Sequence, residues 1–387
     1  MGSSDKGGGR VSLLAATAVA AVVIAFGLAA CGSSGGGIEG GGSKEVETVK
    51  LEGKPSGSLT ISNWPLYIDK ETVPNFEKES GIKVKYIEDI NSNEEFFSKM
   101  QPLLQEGESG GRSIFVLAGY EVNKMYKLGY LQNLDKSALP NVERNLVQSL
   151  KHPPYDPNRD YTVPWQSGMT GIIVNKELAP EIHSICDLFN SKYKGKVDFL
   201  NEVRETVPLV MKCEGTDPGK ATEADWMKAI EKIKGAAESG QIRRFTGNDY
   251  ARDLTSGDVV AVIGWSGDAV QLQADNPNLE WRVPTQGCMQ WSEDMVVPIG
   301  APNPTAAEAF MNYVYNPKNQ APIAEYINYV TPVEGVKQIF EKSDPELAKN
   351  PLIFPSPEFT KTCSPTPTLE GEEEQNVIRA FNAVLNG

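Results

Sequence analysis

From about Gly57 onward the chain alternates between short apolar runs and segments with helical spacing, separated by turn residues. Leu59-Thr-Ile-Ser-Asn63 reads as a buried strand ending at a polar turn, and Ile82-Lys-Val-Lys-Tyr86 alternates apolar and polar positions as a strand does. Between them, Asp69 to Glu79 carries Val73 and Phe76 at helical spacing and stops before Gly81, which predicts a capped amphipathic helix. Asn93 to Gln105 puts Phe96, Phe97, Met100 and Leu104 on one helical face, and Ser113-Ile-Phe-Val-Leu117 is a third strand. Strands alternating with helices through short turns predict an α/β fold with largely parallel sheets.

A second lobe is expected after Tyr161-Thr-Val-Pro-Trp165. Its strand candidates are Gly171-Ile-Ile-Val-Asn175, Val197-Asp-Phe-Leu200 and Val259-Val-Ala-Val-Ile263. Thr222-Glu-Ala-Asp225 resembles a capping box opening a helix with Trp226, Ile230 and Ile233, and Thr305-Ala-Ala-Glu308 resembles a second one. The Pro-rich stretch 351–367 is loop-like, and helix returns around Asn376 to Leu385. No internal repeat is visible.

The first thirty-one residues do not belong to this pattern. Lys6 and Arg10 make a basic start, Val11 to Leu28 is uncharged and apolar, and Leu28-Ala-Ala-Cys31 closes it with small residues. That order is a secretory signal, with Cys31 the expected lipidation site. The apolar run, about 18 residues, also meets the lower limit for a transmembrane helix. Residues 32–56 begin with an almost pure Gly/Ser stretch and read as a flexible linker. Roughly 330 residues then remain, too many for one ordinary core, so two lobes are expected.

Charge and cysteine usage narrow the picture slightly. The net charge is −14, and about one unit more acidic without the leader, which argues against nucleic acid as a partner. Four cysteines follow Cys31, namely Cys186, Cys213, Cys288 and Cys363. They permit two disulfides in any of three pairings, or reduced and buried thiols. None has metal-ligand spacing, so neither a metal nor a cofactor is expected. The two histidines, His152 and His183, lie in no catalytic motif, and no nucleophile elbow or phosphate-binding loop is present. No enzyme is expected, although a carboxylate-dependent hydrolase needs only two acids.

What stands out is a recurrence at strand ends. Trp64 and Tyr67 follow the first strand, Tyr120 the third, and Trp265 the Val259 run, while Trp291 and Tyr329 sit beside other apolar segments. Glu202 and Glu205 follow the Val197 strand, Asp268 follows Trp265, and Glu293 follows Trp291. Open α/β sheets bind ligands beyond the carboxyl ends of their strands. Aromatic faces attract a cation and carboxylates accept its N–H bonds, so a small cationic ligand is the expected partner. Trp226 and Trp281, in a helix and a strand-like segment, are assigned to packing.

Several stretches resemble the spermidine/putrescine-binding proteins, from about Leu59 to the C-terminus. They include Asn63-Trp64-Pro-Leu-Tyr67-Ile, Phe76-Glu-Lys-Glu-Ser-Gly-Ile-Lys-Val84, Ser92-Asn93-Glu94 and Gly257-Asp-Val-Val-Ala-Val-Ile-Gly-Trp265-Ser-Gly-Asp268. The resemblance implies a two-lobe periplasmic-binding fold of type II-like topology with a ligand cleft between lobes. Residues 57–167 with 293–336 would form one lobe, and 168–292 with 337–387 the other. It further implies an aromatic box of Trp64, Tyr67, Tyr120, Trp265, Trp291 and Tyr329, with Glu202, Glu205, Asp268 and Glu293 as the acids. The partners it implies are a polyamine, an ABC permease and its ATPase; the receptor would be a membrane-anchored monomer. The sequence departs from the family pattern at Leu66, where an acid is usual, and at Ser113, Ala118 and Ser167. Gln166 and Ser167 are candidate neutral donors in compensation.

Overall fold

The short apolar runs of the first part assemble as β1 (Ser58–Asn63), β2 (Lys83–Glu88) and β3 (Ile114–Ala118), parallel and ordered β2-β1-β3. The helices Thr72–Ser80 and Asn93–Gln105 connect them, the first closed by Gly81 at φ 79°. The computed structural model describes residues 55–387; the leader, Cys31 and nearly all of the linker lie outside them.

Two long antiparallel strands follow from the expected lobe boundary. β4 (Val163–Asn175) is a single strand of 13 residues, all buried, where the sequence suggested two separate apolar pieces. Its first part pairs with β9 (Cys288–Val296), and its last part pairs with β7 (Ala261–Trp265) and β8 (Leu279–Arg282). β9 in turn meets β3 through Glu293 to Val296 and β10 (Cys363–Pro365) through Cys288 to Gln290. On the far side of β4, β7 continues in parallel to β5 (Val197–Leu200) and β6 (Ile242–Thr246). The order is β2-β1-β3-β9-β4-β7-β5-β6, so each end carries a parallel α/β unit and β4 and β9 run through both.

Local chemistry explains most of the helices. Thr222 and Asp225 form the reciprocal capping box read from the sequence, opening helix Glu223–Glu238, whose Trp226, Ile230 and Ile233 are buried. The second capping box does not form. Asn303 caps helix Pro304–Val314 by accepting from the Ala306 N–H, and Glu308 accepts instead from the Asp135 N–H at 2.7 Å. The Pro-rich stretch contains β10 and a short helix, Pro357–Thr360, rather than loop alone. Two disulfides, Cys186–Cys213 and Cys288–Cys363, select one of the three possible pairings; the second clips β10 to β9. No helix among the described residues is long and apolar enough to cross a membrane.

Candidate ligand-binding site

The carboxyl ends of β1, β3, β5 and β7 converge on one cavity of about 270 Å³, and all ten residues singled out from the sequence line it. Each arrives by a simple device. At the end of β1, Asn63 Oδ1 accepts the Trp64 N–H at 2.8 Å, and the chain turns through Leu66, held at φ 58° with its N–H donated to Glu88. That turn presents Trp64 and Tyr67. β3 ends at Ala118; Gly119, where a Cβ would lie 2.6 Å from Tyr155, opens helix Gly119–Lys127, and Tyr120 is its second residue. Glu202 is the N-cap residue of helix Val203–Cys213 and Glu205 lies in its first turn; Asp268 occupies the first turn of Ser266–Asp275. Acids at these positions sit in the favourable field of a helix N-terminus.

β9 supplies Trp291 and Glu293 from one face, at the points where it passes Gly168 and Ala118. Glycine at 168 leaves room for the Trp291 ring: a Cβ there would lie 2.3 Å from it, so any other residue displaces the ring. Gly267 makes room for Tyr329 in the same way. The rings interlock: Tyr67 meets Tyr329 edge-on at 5.5 Å, and Trp291 lies 5.4 Å from Tyr329.

The carboxylates are held by neutral donors. Glu205 accepts from Trp265 Nε1 at 2.7 Å and from the Thr170 hydroxyl, which itself accepts from Trp291 Nε1. Asp268 accepts from Tyr250 at 2.6 Å, Tyr329 at 2.7 Å and Asn248 at 2.9 Å. The Tyr120 hydroxyl lies 3.4 Å from both Glu202 and Glu94. None of the ion pairs among the described residues includes Glu202, Glu205, Asp268 or Glu293.

Burial without a counter-charge raises all four. It pushes Glu293 up to about 8, partly offset by the Tyr67 hydroxyl and reinforced by Glu205 and Asp294. Glu205 is pushed up to about 7 by burial, against the pull of its Thr170 and Trp265 donors. Glu202 is raised by burial and then by the neighbouring Glu94, Glu205 and Glu293. Asp268 is raised by burial despite three donors.

Several lining or supporting residues were not singled out beforehand. Asn93 accepts the Ala118 N–H at 2.9 Å; Thr170, Asn248 and Tyr250 orient the acids. Pro65, Ala251, Gln271, Leu272, Asp275 and Thr366 complete the lining, together with Leu66 and Ala118, two positions where the sequence departs from the family pattern. Gln166 and Ser167, by contrast, are buried in β4 and do not line the cavity, so they are not positioned as compensating donors.

Comparison with known proteins fits this architecture. Residues 71–355 match the family model described as bacterial extracellular solute-binding protein. A spermidine/putrescine-binding periplasmic protein of Salmonella typhimurium is 30% identical over 301 residues, 77% of this chain and 83% of its own. The chain belongs to the bacterial extracellular solute-binding family. A second member, the putrescine-binding periplasmic protein of Escherichia coli, is 29% identical over 352 residues, covering 85% of this chain and 92% of its own. Among solved structures, the spermidine/putrescine ABC transporter substrate-binding protein of Streptococcus pneumoniae superposes with a TM-score of 0.68. It is 25% identical and covers 85% of this chain and 99% of its own. Membership of this solute-binding family places the protein outside the cytoplasm, as a binding component of a transporter. It also accounts for the two α/β units joined by β4 and β9, since such a receptor takes its solute in the cleft between lobes.

Proposed function

We propose that this receptor binds a small polycationic amine, putrescine or spermidine, and hands it to an ABC permease and its ATPase. The observation that carries the reading is the set Glu202, Glu205, Asp268 and Glu293, lining one aromatic cavity with no cation among the described residues paired to any of them. Uncompensated buried carboxylates are costly, and a cationic ligand removes that cost. Its methylene chain would lie between Trp64, Tyr67, Tyr120, Trp265, Trp291 and Tyr329, which attract ammonium groups through their ring faces. A cavity of about 270 Å³ suits a small solute, being at the lower edge of the roughly 300–1,000 Å³ of ligand pockets.

Closure about β4 and β9 is the proposed mechanism: ligand bridges residues from both ends of the sheet and stabilises the closed state by its greater affinity for it. In this reading 57–167 with 293–336 form one lobe, and 168–292 with 337–387 the other. We assign Cys31 as the lipid anchor and the receptor as a monomer.

Titrating the protein, stripped of ligand by partial unfolding and refolding, with putrescine and spermidine tests the cargo. One-to-one saturation by either supports it; silence from both rejects it. Pro65 and Leu66 at the rim favour a second cargo, a cationic amine with an apolar end, if a monoamine binds more tightly than either polyamine.

A further inference from the structure

Behind Tyr120 lies a second charged cluster that does not line the cavity. Arg204 sits between Glu202 and Glu205 in sequence, in the first turn of the helix that carries those acids. It is 1% exposed, yet it is neither a lining residue nor paired with either acid. Its guanidinium lies 4.2 Å from the centre of the Tyr120 ring, and its Nη2 donates to Glu374 Oε1 at 2.6 Å. Glu374 belongs to helix Gly371–Leu385, which packs on helix Glu223–Glu238 at the β5–β6 end. Tyr120 belongs to the helix after β3, at the other end of the sheet.

The contact therefore joins the two halves. On one side Tyr120 points its hydroxyl at Glu202 and Glu94; its ring rests on the protein's own cation. One turn further along the Tyr120 helix, Lys124 lies 3.3 Å from buried Glu121 and 3.9 Å from Glu374. Lys127 reaches Glu370 at 2.6 Å. Arg204 is the buried cation of this bridge, and its planar group is suited both to stack on a ring and to pair with a carboxylate.

We propose that Arg204 is a positioning residue, which holds Tyr120 in the cavity wall and joins the two halves of the receptor behind it. The proposal rests on the reading that the solute occupies this cavity. Arg204 touches no solute; it raises affinity by favouring, in the empty protein, the closed arrangement in which Tyr120 meets Glu202. Ligand then has less closure left to drive.

Two variants of the full chain separate positioning from plain stability. Arg204→Lys keeps the charge and a partner for Glu374 but loses the planar face over Tyr120. Glu374→Gln loses the ion pair and keeps the stacking. Labels on Lys83→Cys in β2 and Lys228→Cys in helix Glu223–Glu238, both largely exposed, report the separation of the halves in the absence of ligand. Arg204→Lys is expected to lengthen that separation and to weaken spermidine or putrescine binding about tenfold, as loss of a desolvated cation–π contact would. Its melting temperature should stay near that of the parent, while Glu374→Gln lowers the melting temperature and weakens binding less. If Arg204→Lys leaves separation and affinity at the parent values, or changes the melting temperature alone, Arg204 is merely structural and the proposal falls. If the parent binds neither polyamine, the cargo reading fails, and the separation measured without ligand still decides the role of Arg204.

Discussion

Glu293 and Asp294 are neighbours on β9, both buried, and they face opposite ways. Asp294 faces an internal cation: Arg159 Nη1 donates to it at 2.7 Å, and Tyr155 donates to its other oxygen at 2.6 Å. Arg159 also donates to Thr162 and the Leu150 carbonyl, and it adopts φ 56°, a left-handed conformation that a packed network holds in place. Glu293 faces the cavity with Glu205 nearby, the Tyr67 hydroxyl beside it and no cation partner among the described residues. Similar burial on one strand thus serves two purposes. A charge that the fold needs is paired by the fold; a buried acid with no cation partner among the described residues is poised for something that enters from outside.

The largest expected effect is on the paired side. Arg159→Ala leaves Asp294 buried without its cation and should cost about 3–5 kcal/mol of folding stability, measured by denaturant unfolding of the empty protein. On the cavity side the same kind of change should do the reverse to stability and most of its harm to binding. Asp268→Asn or Glu205→Gln is expected to leave unfolding free energy unchanged or slightly higher, while weakening spermidine or putrescine by about 2–5 kcal/mol. A Glu205→Gln protein that melts as low as Arg159→Ala would erase the distinction.

A smaller effect is expected from pH. Glu293, near 8, and Glu205, near 7, keep protons in the empty folded protein that the unfolded chain, with carboxyls near 4.5, has already lost. The folded state therefore binds more protons between those limits, and stability falls as pH rises from about 5 to about 8. Glu121, Asp198 and Glu308 shift in the same direction, so the informative quantity is a difference. Melting temperature should drop less steeply with pH in Glu293→Gln than in the parent, and the parent with saturating spermidine should follow the variant. The change with the most local effect is Gly168→Ala. Its Cβ displaces the Trp291 ring, and small-to-large changes of this kind cost about 1–3 kcal/mol. Tryptophan fluorescence should shift and affinity should drop, with the two α/β units intact by circular dichroism.

Much of this was legible in the sequence because strand ends are local features. Trp64 and Tyr67, Tyr120, Glu202 and Glu205, and Trp265 and Asp268 each follow an apolar run closely, so the C-terminal edge of a parallel sheet gathers them without any knowledge of contacts. The supporting shell was not legible in that way. Asn248 and Tyr250 follow β6, whose Ile242-Arg-Arg-Phe-Thr246 reads as charged, and Thr170 sits inside β4. The continuity of β4 was hidden because Gly168 and Ser167 interrupt its apolar run; glycine is there to admit the Trp291 ring, a tertiary reason. The Thr305 motif failed for a related reason, since Glu308 is taken by the distant Asp135 backbone. Disulfide partners depended on the topology that brings β10 beside β9.

The central claim, that the cavity acids await an external cation, is tested most directly by titrating spermidine into the full chain at pH 7. The titration is run by calorimetry in two buffers of different ionisation enthalpy. Saturable one-to-one binding with net release of protons is the expected result, because a cation beside Glu205 and Glu293 drives off the protons that burial had retained. Saturable binding whose enthalpy is the same in both buffers, or no binding at all, would contradict it.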